Sequence, residues 1–152
     1  MRSLALIIIF NCASFSCSSQ NIDNLRTYFL LSFKNEVYCD SLNLSIDKNI
    51  NENLLNGYKG IYYIMKCNYI INPYKKILYF RKGKEILEKS IQKDPQCIEL
   101  RTLRYSVQNK VPIFLSYNHK TDEDISFINE NKNNLKEVSL QHYIEKILEG
   151  IK

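Results

Sequence analysis

The sequence predicts an all-α fold of five or six antiparallel helices, arranged as a stack or a compact bundle, and three observations carry that expectation. Every strong apolar run recurs at three- and four-residue spacing, and no segment alternates as a strand would. Four glycines and three prolines in 152 residues leave little for the many tight turns of an all-β sandwich. The prolines follow Asn72, Asp94 and Val111, where they punctuate helical runs. Seven Phe and eleven Tyr, with 45% hydrophobic and 24% charged residues, supply a core and exclude a disordered or collagen-like chain.

The amino terminus reads as an export signal. Arg2 precedes an apolar run from Leu4 to Phe10, and mostly small residues follow from Ala13 to Ser19, so residues 1–19 are expected to be a secretory signal peptide. The run falls far short of the roughly 20 residues that a transmembrane helix needs, and no later stretch approaches that length. Cys17 and Ser19 supply the small side chains that signal peptidase requires, leaving Gln20 as the new terminus of a single soluble helical domain over residues 20–152, periplasmic or secreted. Lipidation at Cys17 is the alternative, although Ser14 stands where a lipoprotein peptidase needs an aliphatic residue; Cys12 has Ile9 there but Asn11 directly before it.

Cleavage leaves Cys39, Cys67 and Cys97, an odd number with no C-x-x-C pair and no histidine at ligand spacing, so no metal site is expected. Export would permit a disulfide, with Cys67 and Cys97 the pair to test. Small buried thiols on helices are the simpler expectation.

From Ile22 onward, Leu25, Tyr28, Phe29, Phe33, Val37 and Leu42 trace one amphipathic helix over about Asp23–Asn43, ended by the polar stretch from Ser45 to Asn49. A second helix carries Leu54, Tyr58, Ile61, Tyr62, Met65 and Tyr69, and Gly57 and Gly60 would let another helix approach it closely. Asn72-Pro73 opens a third helix reaching Lys93, with Phe80, Gly83, Leu87, Ser90 and Ile91 as its buried face. Asp94 is expected to cap a fourth, with Pro95 at its first position and Leu100, Leu103 and Val107 buried before Gln108. Val111-Pro112 ends that helix, and Ile113 to Lys120 reads as an ordered apolar loop. Thr121 with Asp122, Glu123 and Asp124 starts a fifth helix ending near Asn131, the acids complementing the dipole. Ser139 is expected to cap a sixth, bearing Leu140, Tyr143, Ile144, Ile147 and Leu148 before Gly150.

Gly83, Leu87, Ser90 and Pro95 resemble the second half of a tetratricopeptide repeat, in which small residues admit the paired helix, a large one fills the groove and Asp-Pro turns the chain. Arg101 and Arg104 stand where a following repeat prefers apolar residues, so the resemblance is to the geometry and not to a tandem array. A longer resemblance covers about Gly57 to Ile128. Its residues are Gly57-Tyr58-Lys59-Gly60, Asn72-Pro73, Lys75-Lys76, Tyr79-Phe80, Lys82-Gly83, Leu87-Glu88-Lys89, Asp94-Pro95, Glu99, Arg101, Leu103-Arg104, Gln108, Pro112, Phe114-Leu115 and Tyr117. This string resembles an uncharacterised family of small exported proteins of the Bacteroidetes. That family typically has glycine where this chain has Ser116, and often alanine at Ser90. The resemblance implies export and an all-helical fold, and it implies no activity.

The formal charge of +5 is polarised. Lys75, Lys82, Lys89 and Lys93 fall on one helical stripe, while Thr121 to Lys152 holds seven acids against four lysines. The stripe reads as a solvated helix face or as a basic surface for lipid headgroups, an acidic cell-wall polymer or an acidic partner. Nucleic acid is not expected, because no recognition motif accompanies the lysines. Arg101, Arg104 and Gln108 share one broad face of the fourth helix. They read as a network holding it to the Asn72-Pro73 turn or the Pro112–Tyr117 loop with Glu99, or as a site for an anion or peptide carboxylate bounded by Tyr58 and Tyr62. His119 and His142 have no nucleophile arranged beside them, so neither an enzyme nor a cofactor is expected. The reading is an exported helical scaffold that binds a peptide or protein, with an envelope-associated structural protein, lipid-anchored or held by its basic face, as the alternative.

Overall fold

The computed structural model describes residues 13–46 and 52–150, and the apolar run from Leu4 to Phe10 lies outside them. The fold is all-α. Seven helices are found among the described residues: α1 (Ala13–Ser32), α2 (Glu36–Ile46), α3 (Glu52–Lys66), α4 (Pro73–Lys93), α5 (Ile98–Gln108), α6 (Thr121–Asn131) and α7 (Val138–Leu148). Short 3-10 turns follow α3, α5 and α6. No described helix is long and apolar enough to cross a membrane. The expected cleavage point before Gln20 falls inside α1, and from Asn21 onward that helix buries Leu25, Arg26, Phe29 and Ser32.

The extra helix comes from a break in the first one. The Asn35 side chain accepts the N–H of Val37 at 2.9 Å, which makes Asn35 the cap of α2 and stops α1 at Ser32. The continuous helix expected over Asp23–Asn43 is therefore two, and α2 runs past Ser45 to Ile46.

Every helix contributes to one core, through Leu25 and Phe29, Leu42, Tyr58 and Ile61, Leu87, Leu100 and Leu103, Ile128, and Ile144 in chain order. The tightest pairing is between α3 and α4. It runs antiparallel, because Tyr63 meets Tyr79, Gly60 meets Gly83 and Gly57 faces Leu87. The buried residues of α4 are Phe80, Gly83, Leu87, Ser90 and Ile91, the face its spacing predicts. Asn72 caps α4 by accepting the N–H of Lys75 at 3.1 Å, with Pro73 at the first position. Neighbouring helices α1 and α2, α2 and α3, and α5 and α6 also pack on one another, and these contacts do not by themselves establish a tetratricopeptide-like stack.

Two caps differ from expectation. Asp94 closes α4, its N–H donating to the Ser90 carbonyl, and its own carbonyl accepts the Cys97 N–H at 3.2 Å. Asp-Pro thus forms a β-turn, for which Asp at the first and Pro at the second position are favoured, and α5 begins only at Ile98. Ser139 lies inside α7, whose cap is Glu137, because its hydroxyl is drawn to Glu137 and Arg26. The loop before α6 contains a 3-10 turn at Ile113–Leu115, after which Ser116 takes a φ of 48°, a left-handed value that favours glycine. Cys39, Cys67 and Cys97 are free thiols, the first two buried.

Candidate functional site

The short helix α5 lies almost wholly inside the protein, with Glu99, Arg104 and Gln108 buried alongside its leucines. A charge there survives only when paired and hydrogen-bonded. The chain meets that demand with two clusters of the same design, one on each side of α5.

On one side Arg26 of α1 makes a two-pronged contact with Glu99, Nε to Oε1 at 2.9 Å and a terminal nitrogen to Oε2 at 2.8 Å. Tyr58 of α3 donates its hydroxyl to the same carboxylate at 2.6 Å, and the remaining nitrogen of Arg26 reaches Asp23, Glu137 and Ser139. Burial opposes the charge of Arg26, but the bonds to Glu99 and Glu137 outweigh it and hold the guanidinium charged. Burial and then the Glu99 charge push the Tyr58 hydroxyl far above its ordinary range, so it stays a neutral donor.

On the other side Arg104 forks onto Asp124 of α6 with two bonds of 2.7 Å, and its third nitrogen reaches Glu88 of α4 at 2.8 Å. Tyr117 donates to the other oxygen of Glu88 at 2.6 Å, with its own titration raised by burial first and Glu88 second. Asp124 is fully buried. All three acids Asp122, Glu123 and Asp124 stand in the first turn of α6 as expected; Asp124 in addition serves Arg104, while Asp122 and Glu123 stay exposed.

The remaining expected site residues do not converge on an open pocket. Arg101 donates from Nε to the Pro95 carbonyl at 2.8 Å and lies over the Phe127 ring at 4.3 Å, with Glu123 and Asp124 beyond 3 Å. Gln108 is buried and its carbonyl oxygen faces the Thr121 hydroxyl at 3.4 Å. Tyr58 belongs to the Glu99 cluster, and half-buried Tyr62 packs against Tyr63. An anion site bounded by Arg101, Arg104, Tyr58 and Tyr62 is not what the structure assembles. The network exists, but α5 is held to α6, α4 and α1, and not to the Asn72-Pro73 turn; the Pro112–Tyr117 loop enters it only through Tyr117 and Glu88. Arg26 escaped the sequence reading, although a lone arginine on the apolar stripe of Leu25 and Phe29 was its signal.

Two clefts among the described residues, one lined by residues including Tyr105 and Gly150 and the other by Arg26, Ser139 and Tyr143, are small, about 130 and 180 Å³, against the several hundred typical of ligand pockets. No group of three or more His, Cys, Asp or Glu that could hold a metal occurs among the described residues. His119 and His142 are exposed and far apart in the chain.

What remains is the outer face of α4. Lys75, Lys82, Lys89 and Lys93 are all exposed there, Lys82 lying over the Tyr63 ring at 4.1 Å and Lys89 pairing with Glu85 at 2.6 Å. Ahead of and beside them Ile71 is 99%, Tyr74 70%, Ile77 45% and Leu78 46% exposed, the densest group of exposed large apolar side chains among the described residues. Comparison of the chain with family models, curated proteins and solved structures finds no match.

Proposed function

We infer that the chain is an exported, non-catalytic helical scaffold that docks on a partner through the first two turns of α4 and the turn before them. The observation that carries this is the group Ile71, Tyr74, Ile77 and Leu78, which stays in water although the chain has a core to receive such residues. The polar groups that could have formed an active centre, Arg26, Glu99, Arg104, Asp124, Tyr58 and Tyr117, are consumed by one another. They act as pins that fix α1, α4 and α6 around α5. Export is supported by the Arg2 to Ser19 pattern and by the resemblance over Gly57 to Ile128.

The test is site-specific photocrosslinking in intact cells, with a benzophenone amino acid in place of Leu78 or, as a control on the same helix, Gln92. Benzophenone inserts into C–H bonds of proteins and lipids alike, so the readout does not presuppose the partner. Defined adducts from position 78 and none from position 92 are expected. Equal, diffuse labelling from both positions overturns the reading.

A further inference from the structure

We propose that the docking surface at the start of α4 seats on an anionic lipid bilayer, with Ile71, Tyr74, Ile77 and Leu78 entering the headgroup boundary and the surrounding basic residues meeting the phosphates. This rests on the docking reading above and names its occupant. Tyr74 and Leu78 stand one helical turn apart on the side of α4 opposite Gly83 and Leu87, with Ile77 beside them and Ile71 projecting from the preceding turn. From Ile71 to Lys84 the chain has five basic residues and no acidic one. Lys75, Lys76 and Arg81 are exposed, and none makes an ion pair with a described residue.

Apolar side chains flanked by the unpaired cations Lys75 and Arg81 suit a surface that offers hydrocarbon and negative charge together. A second copy of the same face would set these cations against each other. A nucleic acid backbone would satisfy the charges and leave the aliphatic side chains wet. The structure supplies an internal contrast: α2 also exposes large apolar residues, Val37 and Leu44, but its charges are Glu36 and Asp40, which an anionic surface repels.

The chain contains no tryptophan, so Tyr74→Trp installs a single reporter in the full chain, and Leu44→Trp reports from the acidic helix. With phosphatidylglycerol vesicles, Tyr74→Trp emission should shift to the blue and be quenched by bromines on the lipid chains, with little response to phosphatidylcholine and little at position 44. Adding Lys75→Gln and Arg81→Gln should weaken vesicle binding by about fivefold for each charge removed. The proposal is overturned by unchanged emission at position 74, by an equal response to phosphatidylcholine, or by an equal response from position 44. A shift that depends on protein concentration without vesicles would overturn it in favour of self-association. Silence with vesicles together with protein adducts from position 78 would overturn the lipid while leaving the docking reading standing.

Discussion

Gly60 and Gly83 bring the backbones of α3 and α4 together with no room for a side chain on either. A methyl group on Gly83 would lie 2.5 Å from the Gly60 carbonyl oxygen, and one on Gly60 would lie 2.8 Å from that of Gly83. Both obstacles are backbone, so relief requires a helix to move. Gly83→Ala should therefore destabilise the protein by about 1–3 kcal/mol, despite the roughly 1 kcal/mol that alanine gains over glycine inside a helix. Gly57→Ala should cost less, because its nearest obstacle is the end of the Leu100 side chain. Urea melts of both variants check the order, and a stabilised Gly83→Ala would show that α3 and α4 are not in this contact.

Arg104→Met leaves Asp124 buried and without its two bonds, a loss of about 3–5 kcal/mol for breaking an interior pair. Arg101→Met removes the bond to the Pro95 carbonyl, the contact over the Phe127 ring and two long ion contacts, but it orphans no buried charge and should cost less, about 1–2 kcal/mol. Arg104→Met combined with Asp124→Leu should recover much of the loss, since the orphaned charge goes with it. A double variant as unstable as the sum of its parts would show that the pair is not what the two residues share.

The acidic and alkaline limits have opposite signs. Glu137 is held below its usual carboxylate range first by its bond to Arg26, so the stability it adds is present above the unfolded pKa near 4.3 and lost as pH falls through the folded value. Burial pushes the thiols of Cys39 up to about 12 and Cys67 up to about 11. Their contribution is complete below the unfolded value near 8.5 and is lost as pH rises toward those folded values. Stability should thus decline from about pH 9, with a shallower slope in Cys39→Ala between pH 8 and 10. Identical slopes would place Cys39 in water.

Ser116 is exposed and holds a left-handed φ of 48°. Ser116→Gly relieves roughly 1–2 kcal/mol of steric cost against a smaller entropic penalty in the unfolded chain. A gain of up to about 1 kcal/mol is expected. A clear loss in a thermal melt would show that the serine side chain has a partner.

Helical spacing made the fold class and the whole inner face of α4 legible, because Phe80, Gly83, Leu87, Ser90 and Ile91 repeat on one side. The same periodicity hid the break at Asn35, since Phe33 and Val37 keep the stripe in phase across it. Caps misled where a polar residue had a tertiary alternative: Ser139 joins Arg26, and Asp94 builds a turn with Pro95. The arginines of α5 were recognisable as network-forming, but their partners were not. Glu99 meets Arg26 across 73 residues of sequence, and Arg104 meets Asp124 across 20. Local spacing carries no information on such pairings.

Docking is expected at the exposed start of α4 and not at the arginines of α5. The most direct measurement is the yield of photoadducts from position 78 in cells, compared between the parent, Arg101→Met and Tyr74→Ser, both of which should stay folded. An unchanged yield in Arg101→Met and a strongly reduced one in Tyr74→Ser are expected. Loss of the adducts in Arg101→Met with full retention in Tyr74→Ser would contradict this and return the site to α5.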